Sequence, residues 1–151
     1  MRPYHLAALA TVMILTGCGG SEFPATYPVT GTVNYKSKPL DGATVTLVPK
    51  DLAGRSASGI TDADGKFALS TYFGPEHSPT GALPGEYAVT VSKSAERVVP
   101  EGLDQWQAQQ WVTKQGPPKS LVPKKYSSPE LSGLSATVAP EAAPLTLDLQ
   151  D

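Results

Sequence analysis

Gly59-Ile-Thr-Asp-Ala-Asp-Gly-Lys-Phe-Ala-Leu-Ser-Thr71 decides the fold class. The stretch reads as two short strands, about 57–61 and 66–71, folded back on each other around Asp62-Ala-Asp-Gly65. Gly65 can take the positive φ that closes a tight turn without Cβ strain. Asp62 is placed to accept hydrogen bonds from the turn amides, as in an Asx-turn. Beyond the turn, Phe67, Leu69 and Thr71 alternate with Lys66, Ala68 and Ser70, so one face is apolar and the other wet.

Working outward, the same alternation recurs. In 29–35, Val29, Gly31, Val33 and Tyr35 share a face. In 43–49, Ala43, Val45 and Leu47 point inward, and Val48 breaks the pattern. Strands follow at 87–92 (Tyr87, Val89 and Val91 inward), 133–138 (Ala136 and Val138) and 145–149 (Leu145, Leu147 and Leu149). Residues 36–42 form a turn broken by Pro39 and Gly42. Fifteen prolines and fourteen glycines in 151 residues suit a turn-rich, all-β chain of one domain. Seven short strands with turn signals between them predict a β-sandwich.

One segment departs from period two. Residues 94–125 carry no alternation, and 101–114 (EGLDQWQAQQWVTK) is rich in helix formers between Pro100 and Gly116-Pro-Pro118. A short helix is expected there, inside an insertion in the sandwich. Leu103, Trp106 and Gln110 fall on one stripe, with Trp111 close to it.

Four motifs in order resemble the carboxypeptidase regulatory-like domain: Val29-Thr-Gly-Thr-Val33, Lys38-Pro-Leu-Asp-Gly-Ala-Thr-Val45, Thr61-Asp-Ala-Asp-Gly-Lys-Phe67 and Leu83-Pro-Gly-Glu-Tyr-Ala-Val-Thr-Val91. The likeness covers about residues 29–92. Pro123-Lys-Lys-Tyr126 and 132–138 resemble the tail of planctomycete-type lipoproteins that carry this domain. The resemblance implies a transthyretin-like, prealbumin-type sandwich serving as an accessory folding or binding module, with no catalytic residues to carry over. Lys36-Ser37 stands where the family usually has a glycine, so that turn is expected to differ.

The amino terminus reads as an address. Arg2 supplies a positive charge, and 6–15 (LAALATVMIL) is an apolar run too short for a spanning helix of ~20 residues. Leu15-Thr-Gly-Cys18 then resembles a bacterial lipobox, in which Cys18 is lipidated on sulfur, the chain is cut before it and the new terminus is acylated. Several acyl chains give stable attachment where one gives marginal binding. Gly19 after the cysteine, in place of aspartate, favours the outer membrane in a diderm bacterium. Residues 19–28 (GGSEFPATYP) read as a flexible tether reaching on the order of 15–20 Å.

Catalytic constellations are hard to build. Glu76, His77 and Ser78 are adjacent, whereas triad members come from separate elements, so His77 reads as a solvated loop residue. Asp62, Asp64 and Gly65 start like a calcium loop, but Phe67 and Leu69 stand where further oxygen ligands belong. Zinc ligands and phosphate or dinucleotide loops are missing, so no metal and no cofactor are expected. A pI near 5.6 argues against nucleic acid. Lys114, Lys119, Lys124 and Lys125 form a loose cluster, read as solvated, with anionic headgroups as the alternative. Trp106 and Trp111 sit among glutamines. They either pack on the sandwich, the plainer reading, or form a face for protein or sugar.

The expectation is a lipid-anchored envelope protein. Residues 1–17 are the signal peptide, 18–28 the lipidated tether, and 29–151 a seven-stranded transthyretin-like β-sandwich with an insertion at about 94–125. It is expected to face the periplasm or cell exterior from the cell membrane or outer membrane, to have no enzyme activity, and to bind an envelope protein or, alternatively, polysaccharide.

Overall fold

The computed structural model describes residues 23–151. The expected signal peptide and Cys18 lie outside the described residues. Nine strands form two sheets: β1 Thr30–Tyr35, β2 Lys38–Pro39, β3 Thr44–Pro49, β4 Ala57–Ile60, β5 Lys66–Ala68, β6 Ser70–Thr71, β7 Gly85–Ser92, β8 Leu134–Val138 and β9 Leu145–Leu149. One helix, α1 Gln105–Lys114, and a 3-10 turn, Lys124–Ser127, complete the described elements. Among the described residues no helix is long and apolar enough to cross a membrane.

The larger sheet is antiparallel in the order β6-β4-β3-β7-β8. In the smaller sheet β1 is central. β9 runs parallel along one edge of it, while β5 and β2 share the other, at its first and second halves. The Val33 backbone shows this sharing: its N–H donates to Gly65 O and its carbonyl accepts from Leu40 N. Inward residues of both sheets, among them Val33, Phe67, Leu147, Val45, Leu47, Val89 and Val91, form one buried cluster. The chain is therefore an all-β sandwich with one helix.

The opening hairpin is corrected in an informative way. Ala57 and Ser58 do pair with Thr71 and Ser70, but Lys66–Ala68 leaves its hairpin partner and pairs with Thr30–Thr32 in the other sheet. The expected strand 66–71 is thus two, and the change of sheet falls at Leu69. Its side chain is fully buried, its N–H donates to Val29 O and its carbonyl accepts from Gly81 N. The two-residue β2, expected as turn, is the other addition to the seven expected strands.

The turn itself forms as its residues dictate. Asp62 Oδ1 accepts from Asp64 N and Lys66 N, both at 2.9 Å. Gly65 has φ +73°, and a Cβ there would lie 2.5 Å from Val33 O. Lys36 and Ser37 both have positive φ, 52° and 61°. With Tyr35 paired to Lys38, this is the two-residue primed turn that hairpins favour, built here without glycine.

Strand register fixes which loops share an end. Loops 50–56, 72–84 and 139–144 lie at the end where β1 and β9 start, the near end. The turns 36–37, 40–43 and 61–65 and the excursion 93–133 lie at the opposite, far end. Residues 26–27 are laid against the 72–84 loop: Tyr27 and Ala82 exchange backbone hydrogen bonds at 2.8 and 2.9 Å, and Thr26 Oγ1 donates to Thr80 O.

Candidate functional site

Helix α1 begins later than the composition suggests because Asp104 caps it. The Asp104 side chain accepts from Gln107 N at 2.8 Å, and Gln107 Oε1 accepts from Asp104 N at 3.1 Å, a reciprocal capping box. Lys114 sits in the last turn, where its charge favours the carbonyl end. Gly116, at φ +67°, and Pro117-Pro118 stop the helix.

Backbone hydrogen bonds close the insert at its base, and guanidinium hydrogen bonds tie its helix end to its first arm. Ala95 N donates to Lys119 O and Leu121 N to Lys93 O, both at 2.8 Å, so residues 93–95 and 119–121 form a short ladder. Arg97 reaches up from it and donates to Gly116 O at 2.6 Å and to Val112 O at 3.4 Å. The helix has no buried residue.

The two tryptophans do not act together. Five residues at 100° each place them 140° apart around the helix. Trp111 is half-buried, on the side of half-buried Ala108. Trp106 is 70% exposed on the other side. The expectation that both pack on the sandwich therefore fails for Trp106, and Trp111 does not join its stripe. Gln105, Trp106 and Gln109 line a shallow hollow of about 350 Å³. Arranged this way, an indole face and two amides can stack on a flat apolar or sugar ring and hydrogen-bond its rim.

Elsewhere the candidate residues have structural duties. The His77 ring stacks on Phe23 at 4.2 Å and lies edge-tilted 5.7 Å from Phe73. Glu76 and Ser78 are exposed, and among the described residues neither hydrogen-bonds the His77 ring. Asp62 Oδ1 is engaged by two turn amides and Asp64 pairs with Lys66 at 3.4 Å. Among the described residues no three His, Cys, Asp or Glu side chains converge as metal ligands. The lysine cluster sits at the far end, with Lys125 Nζ donating to Asp151 O and lying 5.0 Å from the Tyr126 ring centre.

Sequence reasoning missed two clamps at that end. Buried Tyr126, on the 3-10 turn, donates its hydroxyl to Gln150 O and accepts from Gln150 N, at 3.0 and 2.9 Å. Asp151 accepts from the Tyr35 hydroxyl at 2.6 Å and pairs with Lys36 at 2.6 Å. The Lys36 and Tyr35 hydrogen bonds hold the Asp151 side-chain carboxyl below its ordinary range and push Tyr35 and Lys36 up. A tyrosine inside a polar, proline-flanked loop was the available signal for the first clamp.

No family model, curated protein or solved structure matches this chain.

Proposed function

We propose that this chain is an acylated bacterial envelope lipoprotein whose β-sandwich is non-catalytic and serves as a protein-interaction module. In this reading Cys18 carries the lipid, the sandwich is of the transthyretin-like, carboxypeptidase regulatory-like kind, and α1 is the docking element. The carrying observation is Trp106, a large aromatic left 70% exposed on a helix with no fully buried residue. An exposed tryptophan contributes little to its own domain and much to an interface that desolvates it. Strand direction adds support. Residues 23–28 lead into the near end while α1 stands at the far end, so an anchor before residue 23 would leave α1 pointing away from the membrane.

Crosslinking in intact cells followed by pull-down tests this. The wild-type chain should retain a reproducible envelope protein, and Trp106→Ala should lose it while folding normally. Equal recovery with Trp106→Ala removes α1 as the site. The glutamines beside Trp106 favour one second reading, a polysaccharide ligand. Co-purifying glycan that Trp106→Ala fails to retain, with no protein partner, would select it. Loss of membrane fractionation and of precursor processing in Cys18→Ala is expected. A variant that still pellets with membranes overturns the anchor.

A further inference from the structure

The near end exposes apolar groups. Leu52, at the tip of the 50–56 loop, is fully exposed. Beside it, Phe23 and Phe73 lie 5.4 Å apart with His77 against both, and the Arg55 guanidinium sits 5.1 Å from the Phe73 ring centre. Leu52 lines one groove of about 840 Å³ with Pro24, and Phe23, Phe73 and His77 line a second hollow of about 490 Å³. The chain step from Phe23 to Pro24 and the Arg55–Phe73 contact join the two at this end. Aromatic rings with one wet edge and a cation beside them suit the headgroup level of a bilayer, and a protruding leucine suits the acyl boundary beneath it.

The covalent chain limits how far this surface can stand from a lipid. Phe23 is five residue steps along the chain from Cys18, a reach of about 18 Å at full extension. A headgroup layer is roughly 5–8 Å deep on each side of the hydrocarbon. Charge does not argue for a purely electrostatic surface. Lys50 is paired with Glu86 at 3.4 Å, and Asp51 accepts from Ala53 N.

We propose that the near end is a second membrane contact, in which Leu52 and the Phe23–Phe73 pair enter the headgroup–acyl boundary of the leaflet that holds the lipid on Cys18. The proposal rests on the reading of Cys18 as lipidated. It adds that the domain lies on the membrane in one orientation, with the far end and α1 outward. Contact is by apolar burial, so added salt leaves it intact.

The test uses the full lipoprotein in vesicles of phosphatidylethanolamine and phosphatidylglycerol. With Cys18 acylated, a cysteine introduced by Leu52→Cys is the one free thiol and takes an environment-sensitive nitrobenzoxadiazole label. Ala63→Cys, on the exposed far-end turn, is the control. The label at position 52 should shift to the blue and lose most of its emission to shallow spin-labelled lipid, at low and high salt alike, while the label at 63 does neither. Anchoring is read separately, from flotation of the unlabelled protein with the vesicles and its loss in Cys18→Ala. Failure to float removes the anchor and this contact with it. Flotation with an aqueous, unquenched label at 52, or equal quenching at 52 and 63, overturns the near-end contact alone.

Discussion

The sandwich and its insert are held by different physics. The sandwich rests on alternating residues from both sheets that close one buried cluster. Residues 94–121 of the insert rest on a two-rung backbone ladder, the Arg97 bonds and a capping box, with no fully buried residue, and only beyond them do Val122 and Tyr126 join the buried cluster. Burial gives the sandwich a steep dependence on shape. Exposed hydrogen bonds give the insert a shallow one, because each exchanges with water at about 0.5–1.5 kcal/mol net. Stability belongs to the sandwich, and the insert is free to be specialised.

Substitutions can break that contrast, and the largest effect belongs to Leu69→Ala. It empties the fully buried site where the chain changes sheets, and urea unfolding should show a loss of about 2–5 kcal/mol. A loss below ~1 kcal/mol would mean that the two sheets do not depend on this pivot. Gly65→Ala comes next, since the new Cβ meets Val33 O and the residue holds φ +73°. About 2–3 kcal/mol is expected, as for strained backbone elsewhere, and a neutral result would contradict the turn geometry.

Smaller effects sharpen the comparison. Ser37→Gly removes one of the two left-handed non-glycine residues of this turn and should raise stability by about 0.5–1 kcal/mol on thermal unfolding. A decrease would show that the turn does not have this form. Trp106→Phe should leave stability within about 0.5 kcal/mol while removing the red-emitting part of the tryptophan fluorescence. Trp111→Phe should spare that part, and the reverse assignment would place Trp106 inside.

The smallest effect is a pH response. Asp151 is exposed and its carboxyl is held low by Lys36 and Tyr35. Its contribution is complete above the unfolded carboxyl pKa and is lost as pH falls through the lowered folded value. NMR should show the Tyr35 and Lys36 signals moving in that acid window with the sandwich intact. Signals that move only with global unfolding would exclude a local clamp.

Much of the fold is legible in the residues, because period-two burial leaves a trace in each strand. Val45, Leu47, Val89, Val91, Ala136 and Leu147 all fall inside as their alternation requires. Alternation names a face, however, and not a sheet. Phe67, Leu69 and Thr71 all point inward, so nothing in their spacing marks the change of partner at Leu69. The parallel pairing of β9 with β1 is silent for the same reason. Around the candidate site, helix composition was visible, whereas the Asp104–Gln107 cap that moves the helix start from 101 to 105 was not. The sidedness of Trp106 and Trp111 needed the helix's placement on the Arg97 arm of the insert, which local sequence does not encode.

The ladder between residues 93–95 and 119–121 has an architectural consequence. It brings the two ends of the 93–121 stretch together where β7 ends, so the chain between them is closed at its base whatever its length. Loop closure grows only with the logarithm of length, about 0.6 kcal/mol per doubling. The sandwich thus behaves as a socket with a replaceable head: residues 96–118 can be exchanged for another peptide of different size and chemistry while the two sheets keep their register. A lineage that needed a new surface could change it there without rebuilding the core.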